Sequence, residues 1–273
     1  MIAKITDYKR FAVHDGDGIR TTVFFKGCPL RCEWCHNPET QSFNTEMGFF
    51  EHKCTRCGVC ASVCPAGAQT VNGEARKFDR EICRKCGKCA ENCLPKAMTV
   101  WGRDTDTEEI CRVLLEDRDF YETSGGGITL SGGECLCQAD ACVEIMKRMK
   151  EEGISTAVDT CGYVSRETLD KVIPYTDMFL YDIKHLDSAK HKEGTGVGNE
   201  RILENLEYLA KCGCKIEIRM PVIPGYNDSI TEDVSEYVAS LGIERPVKFL
   251  KYHNLAQSKY KALGSDHQMP PLK

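Results

Sequence analysis

The chain has 273 residues, of which 41% are hydrophobic and 28% charged, so it can bury the core of one large domain with an insertion, or of two small domains. Its net charge of −5 offers no basic surface for nucleic acid, and no apolar run resembles a membrane span or a signal peptide. We therefore expect a cytoplasmic protein with reduced thiols, which argues against disulfides among its 18 cysteines.

The first predicted elements lead into a cysteine-rich loop. Residues 2–13 alternate loosely and predict a pair of N-terminal strands, and β-branched and aromatic residues predict a strand over residues 21–26. Next come Cys28, Cys32 and Cys35 at C-x3-C-x2-C spacing. Three thiolates this close can bind three irons of one [4Fe–4S] cluster and leave the fourth iron open to a ligand. A structural zinc site would need a fourth protein ligand, so the iron–sulfur interpretation is favoured.

Residues 52–100 contain an internal repeat with a period of 29 residues. Each half matches the bacterial ferredoxin run C-x2-C-x2-C-x3-C followed by proline, although Leu94 separates Cys93 from its proline. A pair of zinc knuckles would leave the third cysteine of each run unexplained. Because the fourth cysteine of each ferredoxin run binds the other cluster, we predict two further [4Fe–4S] clusters. Their predicted ligands are Cys54, Cys57, Cys60 and Cys93 for one, and Cys83, Cys86, Cys89 and Cys64 for the other.

These runs predict a ferredoxin-like α+β insert over residues 52–100, spliced into a larger domain formed by residues 1–51 and 101–273. The three-cysteine loop and the two ferredoxin runs together hold eleven of the 18 cysteines, and the other seven lack ligand spacing and are expected to be ordinary thiols. Because exposed clusters oxidise easily, an anaerobic host is expected.

Helices and strands alternate from residue 104 onward. This succession of βα units predicts a parallel barrel or partial barrel, with six strands by count. The predicted helices cover residues 107–118, 138–152, 166–173, 200–212 and 230–241. After the strand at 21–26, the predicted strands cover residues 127–130, 154–158, 178–183, 215–220 and 246–252.

Candidate ligand-binding residues follow the predicted strands, where parallel α/β folds bind their ligands. In Gly132-Gly133-Glu134 the glycines allow close approach and the carboxylate can accept from an ammonium group. Asp159-Thr160 and Asp182-Ile183-Lys184 end neighbouring strands, and the residues alone would favour solvated loop acids. Arg219 can bridge carboxylates, and a lone histidine such as His253 is more often structural.

These motifs resemble a known superfamily. The three cysteines, with Trp34 before the last and His36-Asn37 after it, resemble the radical S-adenosylmethionine (SAM) enzymes. The run Asp15-Gly16-Asp17-Gly18-Ile19-Arg20 resembles the D-G-x-G-I-R motif of glycyl radical enzyme activating enzymes. The resemblance covers nearly the whole chain and implies an α/β fold, an open (β/α)6 partial TIM barrel. Family members continue into a final helix beyond residue 270, so the last strand is expected to lack a covering helix here.

The resemblance implies roles for the candidate residues. Cys28, Cys32 and Cys35 would bind the catalytic cluster, and Gly132-Gly133-Glu134 would hold the amino group of SAM. Asp159, Thr160 and Asp182 would bind a monovalent cation beside SAM. Asp15 would hold the glycine loop of a partner protein. The remaining SAM contacts would come from Trp34, His36, Ile183, Lys184, Arg219 and His253.

The implied reaction is the reductive cleavage of SAM to a 5′-deoxyadenosyl radical, which abstracts hydrogen from a glycine of a partner glycyl radical enzyme. The insert resembles those of activators of dehydratases, decarboxylases and lyases, and a reduced flavodoxin or ferredoxin is the expected electron donor. We expect a monomer without nucleic-acid or membrane partners. The alternatives are a radical SAM enzyme acting on a small molecule or another protein residue, and a ferredoxin-type carrier, which would leave the barrel unexplained.

Overall fold

The computed structural model describes residues 1–73 and 75–272, so Glu74 of the predicted insert and Lys273 of the predicted larger domain lie outside the described residues. The strands are β1 Ile2–Ala12, β2 Arg20–Phe25, β3 Glu46–Phe49, β4 Gln69–Asn72, β5 Ala75–Phe78, β6 Met98–Trp101, β7 Arg103–Asp106, β8 Gly127–Gly132, β9 Ser155–Thr160, β10 Met178–Asp182, β11 Ile216–Val222 and β12 Lys248–Lys251. The helices are α1 Val59–Ser62, α2 Lys88–Glu91, α3 Thr107–Leu115, α4 Arg118–Ser124, α5 Ala139–Glu151, α6 Arg166–Val172, α7 Ser188–Thr195, α8 Glu200–Lys211, α9 Thr231–Ser240 and α10 Gln257–Leu263.

An eight-stranded sheet forms the larger part of the molecule, in the order β12-β11-β10-β9-β8-β2-β1-β7. The six strands from β2 to β12 in this sheet are parallel, as the sequence predicts, whereas β1 runs antiparallel to both of its neighbours. The first and last parallel strands do not pair with each other, so the arrangement is open. The carboxyl ends of the parallel strands meet along one edge, where parallel sheets bind their ligands.

The core lies between this sheet and the helices that connect its strands. Leu130, Phe179 and Ile218 of the strands are fully buried against Ile145 and Leu206 of the helices. Each such side chain contributes about 1.5–3 kcal/mol by leaving water. The predicted helices and strands of this region are all present, with ends displaced by a few residues.

One expectation about the elements is wrong, and the helices α7 and α10 were not predicted. Residues 2–13 form one strand, β1, rather than a pair, because this strand finds partners on both sides in β2 and β7. The polar helix α7 lacks an apolar stripe, so nothing in its periodicity predicted it. A helix, α10, does follow the last strand, but it packs against β3 and residues 38–40, and the side chains of Phe249 and Leu250 on β12 stay exposed.

The predicted insert is bracketed by the antiparallel pair β3 and β6 and contains the hairpin of β4 and β5. Its 29-residue repeat recurs in the backbone. Gly58 and Gly87 precede the one-turn helices α1 and α2 with φ of 79° and 80°, and Arg56 and Lys85 have φ of 56° and 54°. The two cysteine runs therefore share one loop conformation. Across residues 1–73 and 75–272, no helix has the length and apolarity needed to cross a membrane.

Candidate active site

The three-cysteine loop follows β2 and is held in place from two sides. Gly27 N–H donates to the Thr40 carbonyl at 2.7 Å, and Cys28 N–H donates to the Gln41 carbonyl at 3.1 Å. On the other side, Arg31 N–H donates to the carbonyl of Thr195, the last residue of α7, at 2.7 Å. The unpredicted helix α7 therefore contributes to positioning the cysteines.

Trp34 packs the cysteine loop against an apolar cluster. Its indole is 5% exposed and lies 4.7 Å from the Tyr226 ring. A Cβ on Gly194 would come within 2.7 Å of the indole, so only glycine lets α7 approach this closely. Tyr252 and Tyr260 complete the same apolar cluster, which shields one side of the cysteine loop from water.

Cys28, Cys32 and Cys35 line one cavity of about 250 Å³ at the carboxyl ends of the parallel strands. Burial raises the pKa of Cys32 to about 12 and that of Cys35 to about 11, whereas the neighbouring Cys161 thiol lowers the pKa of Cys28. When no metal is bound, burial therefore favours the protonated thiols of Cys32 and Cys35. Binding of metal requires thiolates and would release these protons.

The two predicted glycines line this cavity, but protein backbone explains why they must be glycine. A Cβ on Gly132 would lie 2.3 Å from the backbone of Phe25, and one on Gly133 would lie 2.4 Å from the Gly27 carbonyl oxygen. The turn after β8 thus packs directly against the start of the cysteine loop. This contact joins two walls of the cavity.

Glu134 lies behind the cavity wall rather than in it. Its fully buried carboxylate accepts from Thr160 Oγ1 at 2.9 Å, from Cys161 N–H at 2.8 Å and from Leu136 N–H at 3.1 Å. Burial raises the pKa of Glu134, while these donors lower it. The carboxylate fixes the turn after β9, and a contact with SAM would require it to leave these donors.

Two carboxylates converge on the cavity from neighbouring strands. Asp159 accepts from Ser131 Oγ at 2.6 Å, and Asp182 accepts from Lys184 Nζ at 2.7 Å. Burial raises the pKa of Asp159 to about 6, an effect that Arg219 opposes and Asp182 reinforces. Burial also lowers the pKa of Lys184, but Asp182, together with the sulfurs of Cys32 and Cys161, raises it above its usual range. These acids are paired and enclosed, unlike ordinary solvated loop acids.

Arg219, at 7% side-chain exposure, connects the acids to the N-terminal loop. Its Nη1 lies 3.8 Å from Asp159 Oδ1 and 4.0 Å from Asp15 Oδ1, and its Nε lies 3.2 Å from Glu217 Oε1. Asp15 also accepts from Thr22 Oγ1 at 2.9 Å. Asp15 is therefore at the edge of the site, within reach of the cavity's cationic wall.

The predicted histidines form a stacked pair. His36 lines the cavity, its ring lies 4.1 Å from that of His253, and its Nε2 lies 2.7 Å from the His253 carbonyl oxygen. His253 itself lies outside the cavity wall. Ile183 is 1% exposed and packs in the core, so its side chain does not reach the cavity either.

Some residues of the site were not predicted. Lys259 of α10 donates to the His36 carbonyl and Asn37 Oδ1 at 3.1 Å each, and to Glu39 Oε1 at 2.6 Å. These bonds hold the segment after the cysteines, and they were missed because α10 itself was not predicted from the sequence. Cys161 lines the cavity although it was predicted to be an ordinary thiol. Its position directly after Asp159-Thr160 was the available signal.

The eight cysteines of the insert sort into two smaller cavities. The first insert cavity is lined by Cys54, Cys57, Cys60 and Cys93, and the second by Cys64, Cys83, Cys86 and Cys89. The fourth cysteine of each run therefore faces the other run's cavity. In the described residues, no three Cys, His, Asp or Glu side chains converge as a group that could hold a metal ion. Each set of four thiols instead lines its own insert cavity.

Backbone N–H groups point at the insert sulfurs in the same way in both halves. Arg56 N–H donates to Cys54 Sγ and Lys85 N–H to Cys83 Sγ, each at 3.4 Å. Near the ends of the two runs, further N–H groups donate to Cys64 Sγ at 3.2 Å and to Cys93 Sγ at 3.4 Å. Such donors stabilise thiolates that ligate iron–sulfur clusters. The donor set fits a four-thiolate cluster, and the first and second insert cavities, of about 20 and 10 Å³, are much smaller than the catalytic one.

The insert is joined to the catalytic cavity by a buried lysine. Lys26 lies two residues before Cys28, and its fully buried Nζ donates to the Glu39 carbonyl at 2.6 Å and pairs with Glu46 at 2.8 Å. Glu46 is the first residue of β3. The start of the insert and the start of the cysteine loop are therefore held together.

Comparison with known proteins decides the family. Residues 22–238 match the Radical SAM superfamily. The choline trimethylamine-lyase activating enzyme of Oleidesulfovibrio alaskensis is 43% identical over 97% of this chain and 88% of its own. The trans-4-hydroxy-L-proline dehydratase activating enzyme of Clostridioides difficile is 41% identical over 97% and 89%. The chain belongs to the radical SAM superfamily, among its glycyl radical enzyme activating enzymes.

This radical SAM activating enzyme shares its fold with more distant proteins. Streptococcus suis SuiB, solved with its precursor peptide SuiA, superposes with a TM-score of 0.52 at 16% identity, covering 86% of this chain and 39% of that one. Membership of the family implies a [4Fe–4S] cluster and SAM, and it makes a glycyl radical enzyme the partner. The alternatives of a small-molecule radical SAM enzyme and of a pure electron carrier are thereby set aside.

Proposed function

We propose that this activating enzyme binds its catalytic [4Fe–4S] cluster through Cys28, Cys32 and Cys35 and binds SAM in the adjoining cavity. One observation carries the proposal: these thiols share a cavity of about 250 Å³ with the glycine turn, two carboxylates, a lysine and an arginine. All of these groups lie at the carboxyl ends of parallel strands. When bound, the cluster supplies the electron for SAM cleavage, and the chain's residues bind, orient and shield the reactants.

The two carboxylates are proposed to hold a monovalent cation, with Thr160 as a neighbouring oxygen donor. Asp159 and Asp182 line the same cavity at the ends of neighbouring strands, with side chains 24% and 27% exposed, and their like charges repel. Arg219 and Lys184 already relieve part of that repulsion. A bound cation would relieve the rest and fix the cavity wall beside SAM.

The insert is proposed to carry two more [4Fe–4S] clusters, one in each insert cavity, for a total of three. Two observations support this assignment: the fourth cysteine of each run lines the other run's cavity, and backbone N–H groups donate to equivalent sulfurs in both halves. These clusters would relay electrons from a reduced flavodoxin or ferredoxin, or help to dock a donor or the partner. The link from Lys26 to Glu46 keeps the insert next to the catalytic loop.

The partner is proposed to be a glycyl radical enzyme of the dehydratase, decarboxylase or lyase type. The relatives named above activate a lyase and a dehydratase, and both match nearly the whole of this chain. Asp15 is proposed to accept backbone N–H bonds from the partner's glycine loop at the edge of the cavity. Its side chain is 18% exposed, and Oδ2 accepts from Thr22 and Lys9, so Oδ1, which lies 4.0 Å from Arg219 Nη1, is the oxygen proposed to accept from a peptide.

Anaerobic co-expression with candidate glycyl radical enzymes tests this function. A partner should develop the doublet electron paramagnetic resonance (EPR) signal of a glycyl radical when the native chain is present. The Cys35→Ala variant serves as the matched control and should give no signal. Equal signals with native chain and variant would refute the catalytic role of the three-cysteine loop.

A further inference from the structure

The two insert cavities lie at different distances along β3 from the catalytic loop. Glu46, which pairs with Lys26, begins this strand, Met47 lines the second insert cavity, and Phe49 lines the first. A strand advances about 3.3 Å per residue, so the first insert cavity is the outer one. This inference rests on the proposed function: electrons would enter at the first insert cavity and move past the second insert cavity toward the catalytic loop.

The charge of the chain is segregated between its parts. Residues 52–100 contain nine Lys and Arg against four Asp and Glu, a net charge of +5, so the rest of the chain carries −10 to give the total of −5. The segments 52–62 and 92–97 supply most of the residues that line the outer cavity, and they contain three cations and no acid. The edge of the outer cavity is therefore a basic surface on an acidic protein.

Exposed apolar side chains lie on the same two segments as these cations. Leu94, the residue that interrupts the second cysteine run, is 95% exposed beside Cys93. Val59 lines the outer cavity and is 38% exposed, and Cys57 is exposed next to Arg56. Exposed apolar residues interspersed with charges of one sign are typical of a surface that binds a protein of opposite charge.

We propose that this outer edge, formed by Lys53, Arg56, Val59, Leu94 and Lys96, is the docking surface for an acidic one-electron carrier protein. The cations attract the carrier's acidic surface, and Leu94 and Val59 exclude water at the contact. In each transfer the carrier is oxidised by one electron, and the cluster bound by Cys54, Cys57, Cys60 and Cys93 is reduced by one. The internal repeat supplies a control, because Lys85 occupies the position of Arg56 in the second run, with nearly the same φ, and both side chains are exposed.

The test compares Arg56→Glu with Lys85→Glu, using an acidic flavodoxin as probe and the reconstituted full chain at low salt. We expect the dissociation constant to rise about tenfold for Arg56→Glu and to stay within about twofold for Lys85→Glu. The rate at which reduced flavodoxin bleaches the cluster absorbance should fall in parallel. Added salt should weaken native binding more than that of Arg56→Glu, because one attractive charge has been lost.

Leu94→Ser provides a second test that leaves every charge in place. It should weaken flavodoxin binding about fivefold, since an exposed apolar contact is lost. Equal effects of Arg56→Glu and Lys85→Glu, or native binding by both Arg56→Glu and Leu94→Ser, would overturn the proposal. If Arg56→Glu loses iron, the flavodoxin affinity of Leu94→Ser alone decides whether the proposal holds. An iron content near four per native chain would refute the insert clusters. The flavodoxin binding curves test the docking surface separately.

Discussion

The catalytic loop and the insert place their cysteines by different means. The insert's eight cysteines sit in local turns that repeat after 29 residues, with matching φ angles at Arg56 and Lys85. Cys28, Cys32 and Cys35 are instead positioned by distant segments, including Thr195 of α7 and the Gln41 carbonyl. Spacing alone can specify the first kind of site, while the second depends on the whole fold. Substitutions should therefore have local effects in the insert and wide effects at the catalytic loop.

The largest expected effect is the loss of SAM cleavage in Cys35→Ala, because removing one of three ligands releases the cluster with the open iron. Cys57→Ala, the matched change in the insert, should leave SAM binding largely intact. Formation of 5′-deoxyadenosine by chemically reduced protein measures cleavage, and equilibrium dialysis measures SAM binding. Equal loss of SAM binding in both variants would show that the two regions do not divide the work as proposed.

Asp15→Asn should separate SAM chemistry from partner activation. Thr22 can still donate to the amide oxygen, so the loop should fold and SAM should bind, but the partner's glycine loop loses a charged acceptor. We expect the glycyl radical yield to fall about tenfold or more while abortive SAM cleavage continues. EPR spin counting on the partner provides the measurement. A native radical yield would instead mean that Asp15 only stabilises its own turn.

The close packing between β8 and the cysteine loop predicts a difference between two glycines. Gly133→Ala would push a methyl group to within 2.4 Å of the Gly27 carbonyl, and should cost about 2–4 kcal/mol and weaken SAM binding. In Gly213→Ala the new methyl group would lie in open space, and the only strain comes from the φ of 70°. This variant should lose about 1 kcal/mol of stability and leave SAM binding unchanged. Thermal unfolding and SAM titration check both. Similar losses of SAM affinity would contradict the packing argument.

The smallest predicted effect concerns the link between the two regions. Lys26→Met leaves the Glu39 carbonyl and the Glu46 carboxylate without their buried donor, and should cost about 1–3 kcal/mol of stability. Lys9→Met removes an exposed lysine contact of 3.3 Å with Asp15 and should cost under about 1 kcal/mol. Denaturant unfolding of both variants gives the comparison. An equal cost would show that the Lys26 contact does not fasten the insert.

The contrast also explains how far the sequence could be interpreted. Hydrophobic runs predicted the six parallel strands, and ferredoxin spacing predicted which four cysteines share each insert cavity. Helix α7 was missed because its sequence has no apolar stripe, and α10 was missed because the family's final helix was expected further on. The sequence could not show that the Glu134 carboxylate accepts hydrogen bonds from Thr160 and Cys161, since that network depends on how two strand ends approach each other.

The central claim is that three clusters exist and that only the cluster of the three-cysteine loop meets SAM. EPR spectra of the anaerobically reduced protein, recorded with and without SAM alongside iron and sulfide assays, test it most directly. The account predicts about twelve irons per chain and a SAM-dependent change in one cluster signal, absent in Cys35→Ala and retained in Cys57→Ala. About four irons per chain, or a SAM-dependent change that survives in Cys35→Ala, would contradict it.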